Sequence, residues 1–355
     1  MEKLSHILRA GIMLLAMISA AGCLQGLVEE EDAGDLENRH YELPVIFHVL
    51  YTDITDPLEF VSQNRFSELI SAANARYKGA SSSSADMGVS FRLAEKDGNG
   101  NTLRTPGVEY IRWSGEYPID PQAFMTDTSG EYADLLWNPN EYINVMVYEF
   151  LQTDAGSITL GISHIPFSTS GSTYLEGLTE TEYQALGKEN LNFPYCVSIN
   201  SRYIYRQTSS GIYDSADAGV TLSHELGHFL GLLHVFLDEG ETGDDSDFCD
   251  DTPCYYYQEY MAEMESMIAS GIRDFETLAG RTSIHGGRFT SHNIMDYSFS
   301  YSDQFTEDQK ERVRHVLLYS PLIPGPKVST RTVAAPEGIA DLTIRTIERS
   351  VPECQ

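Results

Sequence analysis

The sequence predicts an α+β fold whose strands concentrate in the first half of the chain, and three observations carry that prediction. Predominantly apolar runs of strand length occur at Leu43–Tyr51 and Tyr142–Phe150. Between them, Phe66, Leu69, Ile70, Ala73 and Tyr77 recur at the spacing of one helix face. In the second half, residues 221–234 place two histidines four apart on a helix that a glycine then ends.

The 355 residues carry 53 Asp plus Glu against 23 Lys plus Arg, a formal charge of −30. With 41% hydrophobic and 21% charged residues the composition is that of an ordinary globular protein, which argues against wholesale disorder. So acidic a surface repels phosphate backbones and excludes non-specific nucleic-acid binding. It favours basic peptides electrostatically, an effect that salt weakens.

At the N-terminus, Lys3 and Arg9 precede an apolar run from Ala10 to Gly22 that is too short to span a bilayer. Residues 1–22 read as a secretory signal. Ala20, Ala21 and Gly22 before Cys23 resemble the lipobox of bacterial lipoproteins, with Ala20 where the usual Leu stands, and imply a lipid anchor on Cys23. The lipoprotein would sit in the cell envelope, in the outer membrane. Glu29, Glu30, Glu31, Asp32, Asp35 and Glu37 follow. Segment 23–42 is either a flexible acidic tether or a short pro-segment. It also resembles the acidic export signal of some Bacteroidetes lipoproteins, which implies a surface-exposed protein.

Leu43–Tyr51 reads as a buried first strand with Pro44 near its start. The helix over Phe66–Tyr77 leads to a loop at Ser81–Ser84, and Val89–Ala94 is a second strand. Asp97–Asn101 has the glycines of a hairpin turn and lacks the offsets of a calcium loop. Tyr142–Phe150 and the short Cys196–Ile199 complete the strands.

Residues 224–234 read H-E-x-x-H-x-x-G-x-x-H without a substitution. His224 and His228 share one helix face and reach a single zinc ion, while Glu225 is placed to act on water rather than on the metal. Gly231 allows the left-handed turn that returns His234 to the same ion. Three ligands leave one position open, the mark of a catalytic rather than a structural zinc.

Together with a downstream methionine turn at Asn293–Tyr297, this motif is the metzincin signature. The Asn-x-Met-Asp-Tyr form resembles the pappalysin (cytophagalysin) family. Leu43–Tyr51, Phe91–Ala94 with Asp97 and Gly100, Trp137–Val145, Asp251–Pro253 and Phe305–Arg312 resemble further segments of it. The resemblance spans about residues 43–320. It implies a metzincin-like catalytic domain, in which a twisted mixed sheet and an active-site helix stand above a smaller, mostly irregular or helical C-terminal subdomain. The upper subdomain would run to about residue 234 and the lower over 235–320. Residues 321–355 form a tail without an assigned role.

The resemblance implies a zinc endopeptidase, monomeric, acting on protein or peptide substrates bound in extended form along an upper-subdomain strand. Glu225 would be the general base, Met295 an apolar floor beneath the zinc, and Tyr297 a donor to the developing oxyanion. The same residues fit a zinc hydrolase of a non-peptide amide, and a surface-binding lipoprotein on this scaffold is the reading from another class. His48, His164, His285, His292 and His315 fall outside the pattern and read as loop histidines.

The family also implies calcium, for which eight carboxylates between Asp238 and Asp251 are candidates. Its usual cysteine after the methionine turn is missing here. Cys249 and Cys254 can close a small loop, leaving Cys196 and Cys354, and an exported compartment permits any pairing of the four. Tyr255–Ala279 reads as a helical insertion that would shape the primed side of the cleft.

Overall fold

A computed structural model describes residue 36 and residues 38–352, apart from 80, 82, 153–155, 210–211, 239–246, 329–332 and 334. The signal segment, Cys23, most of the acidic tether and Cys354 lie outside the described residues. Among the described residues no helix is long and apolar enough to cross a membrane.

The architecture is built on a seven-stranded mixed sheet. Strand β1 (Tyr41–Tyr51) is its central element, buried along most of its length. It has parallel partners on both edges, which is why it reads as a continuous apolar run rather than an alternating one. On one edge lies β4 (Ile143–Tyr148). The other edge is shared: β2 (Val89–Leu93) pairs with Tyr41–Val45 and β3 (Val108–Arg112) with Phe47–Tyr51. Beyond β4 come β8 (Val197–Asn200) in parallel and then β5 (Ser157–His164), antiparallel to β8, while β6 (Phe167–Thr169) and β7 (Thr179–Thr181) form a separate parallel pair. The predicted turn at Asp97 forms, its carboxylate accepting from the amides of Asn99 and Asn101.

Helix α1 (Gln63–Tyr77) lies against the sheet on the face predicted from its spacing, with Phe66, Leu69, Ile70, Ala73 and Tyr77 buried. Phe66 stacks on Phe47 of β1 at 4.3 Å between ring centroids. A five-residue helix, α2 (Pro121–Met125), precedes β4. Helix α3 (Ala218–Phe229) packs against α1, and the Tyr77 hydroxyl donates to the Ser223 carbonyl at 3.1 Å. Every residue of α3 is buried, so this helix is enclosed rather than amphipathic.

Past residue 234 regular structure thins out. The predicted helical insertion holds α4 (Tyr257–Ala269) and α5 (Phe275–Leu278), followed by a small hairpin of β9 (Gly280–Thr282) and β10 (Arg288–Thr290). The helix α6 (Glu307–Tyr319) begins with a reciprocal cap between Thr306 and Gln309. The stretch 321–355, given no role by the sequence, returns to the main sheet: β11 (Thr346–Pro352) pairs antiparallel with β5.

Two sequence expectations need correction. His48, His164 and His315 are not loop residues: the first two are buried members of β1 and β5, and the third lies on α6. Cys196 is not poised for a disulfide. It is a buried free thiol beside β8, packed 3.5 Å from the Met125 sulfur, and burial pushes it far above the usual thiol range. Cys249 and Cys254 are both buried in the loop before α4.

Candidate metal centre

Helix α3 starts on Asp217, whose carboxylate accepts from the amides of Gly219 and Val220 at 2.8 and 3.0 Å. This cap fixes the register of the helix and so the positions of His224 and His228 one turn apart. The helix stops at Leu230, and Gly231 takes φ +93° with Val316 packed where a Cβ would stand. The chain reverses there and carries His234 back toward the helix.

The three imidazoles converge. Their Nε2 atoms lie 2.9 Å apart for His224 and His228, 3.1 Å for His228 and His234, and 3.3 Å for His224 and His234. A tetrahedral zinc with nitrogen ligands at about 2.0–2.1 Å spaces those nitrogens about 3.3 Å apart. Backbone carbonyls orient the rings from behind: the far nitrogen of His224 bonds the Ile294 oxygen and that of His228 the Leu232 oxygen, each at 2.8 Å. Such partners set the tautomer that presents Nε2 as the ligand. Burial pushes all three pKa values down, that of His228 to about 3, and so favours the neutral form a metal needs.

Glu225 is buried beside this triangle; among the described residues its carboxylate oxygens make no hydrogen bond of good geometry, and the polar group that faces them is the Arg349 backbone amide. Burial raises its pKa well above the ordinary carboxylate value. A buried carboxylate so weakly partnered is costly in a structural core. Next to three convergent imidazoles it is a proton acceptor waiting for water, and the donor set fits a zinc ion.

The methionine turn lies beneath. Met295 is fully buried, and its sulfur lies 2.5 Å from the point where a Cβ on Gly227 would sit. Tyr297 packs between the histidines, with its ring 4.7 Å from His234 and 5.9 Å from His224. Phe236 stacks on His234 at 4.6 Å and Tyr257 closes the same aromatic wall. The predicted His224, His228, His234, Glu225, Met295 and Tyr297 therefore gather in one place.

The remaining candidates do not join it. Among the described residues the triad is the one group of His, Cys, Asp or Glu able to hold a metal ion. The described carboxylates of the acidic stretch gather no such set, and Glu239, Glu241, Asp244 and Asp245 lie outside the described residues. His292 pairs with Asp303 at 2.9 Å, and His315 meets the Thr173 carbonyl at 2.7 Å. Sequence reasoning missed Phe236, two residues beyond the last ligand, and the buried Arg281 and Asp296 that support the turn. It also missed Glu348 and Arg349, which β11 brings to the site.

A mixed sheet, a buried helix with two of three convergent histidines, and a methionine turn beneath them define a metallopeptidase fold of the metzincin class. Residues 127–318 match the family profile of peptidase M43, described as pregnancy-associated plasma protein-A, and the chain belongs to that family. It is 32% identical over 164 residues to an extracellular metalloprotease of Arthroderma benhamiae, covering 45% of this chain and 47% of that one. An extracellular metalloprotease of Neurospora crassa is 29% identical over 130 residues, covering 34% of this chain and 40% of the relative. The chain thus spans about half the length of the curated relatives it matches. Its fold is similar to that of mature mirolysin from Tannerella forsythia, solved with a cleaved peptide, at a TM-score of 0.52 and 21% identity over 77% of this chain and 90% of that one.

Proposed function

We propose that this protein is a zinc-dependent endopeptidase acting on peptide bonds of extracellular or periplasmic proteins. The observation that carries the reading is the 2.9–3.3 Å triangle of Nε2 atoms with the buried Glu225 carboxylate beside it. His224, His228 and His234 would hold the ion. Zinc bound there polarises the substrate carbonyl and lowers the pKa of water toward about 7. Glu225 takes the proton from the attacking water and delivers it to the leaving amine, a transfer its raised pKa favours. The Tyr297 hydroxyl, kept protonated by burial, donates to the oxyanion. Met295 supplies an apolar floor beneath the histidines.

Relatives named extracellular metalloproteases support an exported location. Cys23, outside the described residues, is proposed as the lipid anchor on the lipobox argument alone, and catalytic function is assigned to residues 43–320. The decisive test pairs elemental analysis with peptide cleavage. Glu225→Gln is expected to keep one zinc per chain and lose peptidase activity. Full activity in that variant with zinc retained rejects the assignment.

A further inference from the structure

Strand β11 lies where an extended peptide would have to lie. It pairs antiparallel with β5, which would otherwise be the edge of the sheet beside α3, with Glu348 opposite Ile162 and Arg349 opposite Gly161. An edge strand is a ready template for a peptide added in extended form. Here the chain supplies that peptide itself.

The two residues at the centre of β11 meet the site in the orientation that hydrolysis requires. The Glu348 carbonyl accepts a hydrogen bond from the Tyr297 hydroxyl and lies against His234. On the other side of the same peptide bond, the Arg349 amide faces the Glu225 carboxylate. The carbonyl thus points at the oxyanion donor and the leaving nitrogen at the proton carrier.

The Arg349 side chain is seated as a substrate side chain would be. It is 1% exposed, and its guanidinium donates to the Ser215 carbonyl at 3.1 and 3.2 Å and to Thr221 Oγ1, three residues before His224, at 3.1 Å. It borders a cavity of about 370 Å³ lined also by Asp214, Asp217, Tyr213 and Val220. The strand is held at both ends: the Arg345 carbonyl accepts from Ile165 at 3.0 Å, and Ser350 meets Thr159 at 3.2 Å. The pairing register breaks between Arg349 and Ser350, so the chain bends just past the reacting bond.

We propose that the Glu348–Arg349 peptide bond is a self-processing site, cut in cis by the metal centre that β11 covers, and that its cleavage opens β5 to other substrates. This rests on the peptidase reading above. In the step, water adds its hydroxyl to the Glu348 carbonyl carbon and the C–N bond breaks. One proton passes by way of Glu225 to the Arg349 nitrogen, leaving a carboxylate at Glu348 and a new amino terminus at Arg349. No oxidant or further reactant is needed.

The full chain, prepared metal-free and then given zinc, is followed by intact mass and by sequencing of released peptide. A fragment beginning at Arg349 is expected, formed with a rate constant unchanged by tenfold dilution, and peptide hydrolysis is expected to show a lag that ends as the fragment accumulates. Fragments starting elsewhere, second-order formation, or full activity from time zero with the bond intact overturn the proposal. If no peptide of any kind is cut, the peptidase reading itself fails. A second measurement is independent of turnover: amide hydrogen exchange across β5 in metal-free Glu225→Gln protein. Arg349→Ala in that background is expected to speed β5 exchange at least tenfold, with Arg349→Lys between the two. Identical β5 exchange in all three means that β11 does not occupy the cleft and overturns the proposal as well.

Discussion

Arg281 and Asp296 form an ion pair at 3.6 Å with both side chains withdrawn from solvent. Asp296 stands between Met295 and Tyr297, so this pair fixes the turn that lies under the histidines. Its carboxylate also accepts from the hydroxyls of Tyr255 and Ser291 and from the Tyr297 amide at 2.7 Å. The guanidinium lies 3.5 Å from the centre of the Tyr260 ring and donates to the Ser298 carbonyl at 2.8 Å. A charge pair so enclosed holds its geometry because each partner has its hydrogen bonds nearly filled.

Removing one partner leaves the other buried and unpaired, which costs about 3–5 kcal/mol. Arg281→Met is therefore expected to lower the unfolding free energy by that amount in urea titrations. Asp296→Asn keeps the hydrogen-bonding shape and should cost less, because Arg281 retains its carbonyl partners. Equal stability of wild type and Arg281→Met would show that the pair does not support the turn.

The contact between Gly227 and Met295 makes a second prediction. A methyl group on Gly227 meets the Met295 sulfur at 2.5 Å, and Met295 is fully buried with little room to retreat. Overpacking of this kind costs about 1–3 kcal/mol. The displaced turn carries Ile294, whose carbonyl orients His224. Gly227→Ala is expected to weaken zinc binding about tenfold, as loss of an orienting partner does. Competition against a chromophoric chelator measures it, and unchanged affinity refutes the coupling.

The triad was legible because its geometry is local: helix spacing sets His224 against His228, and Gly231 sets the return of His234. The methionine turn was legible only through a family resemblance, since nothing in residues 293–297 alone says what they lie beneath. β5 was passed over although Ser157–His164 alternates Ile158, Leu160 and Ile162 with polar or small residues, because Gly161 at its centre weakens the signal. β11 was not legible: Thr346–Pro352 is mostly polar with a proline at its end, and it becomes a strand by pairing with β5, which itself pairs with β8. Cys196 was misread because cysteine counting suggests compartments, whereas its neighbours Tyr195 and Val197 already marked a core position.

Tyr297 makes a third prediction. Its hydroxyl is the side-chain donor that meets the Glu348 carbonyl, and its ring is held by His234, Phe236 and Tyr257. Tyr297→Phe preserves that packing and removes only the donor. Loss of one oxyanion donor costs about 10²–10³ in kcat. The expected result is a fall of that size in kcat on a peptide substrate, with KM and zinc content unchanged. A fall in zinc content instead would assign Tyr297 a structural part.

The last prediction concerns acid. His48, buried in β1, meets Glu109 Oε2 at 2.8 Å through one ring nitrogen and Asn144 Oδ1 at 2.9 Å through the other. Glu109 also accepts from the Trp137 indole at 3.2 Å, so one carboxylate ties β3 to β1 and to the segment before β4. The hydrogen bond from His48 is the main cause of a Glu109 pKa below the ordinary 4.5, with burial opposing it. A carboxylate with a depressed folded pKa binds fewer protons folded than unfolded. Its contribution is therefore present above about pH 4.5 and lost as pH falls through the lowered value. Because the Glu109 side chain is 43% exposed, solvent screening limits that contribution to less than about 1 kcal/mol. Glu109→Gln should thus be slightly less stable than wild type in urea at pH 7, and the difference should shrink as pH falls below 4.5. A difference that stays unchanged however far the pH is lowered would mean that Glu109 acts through packing rather than through its charge.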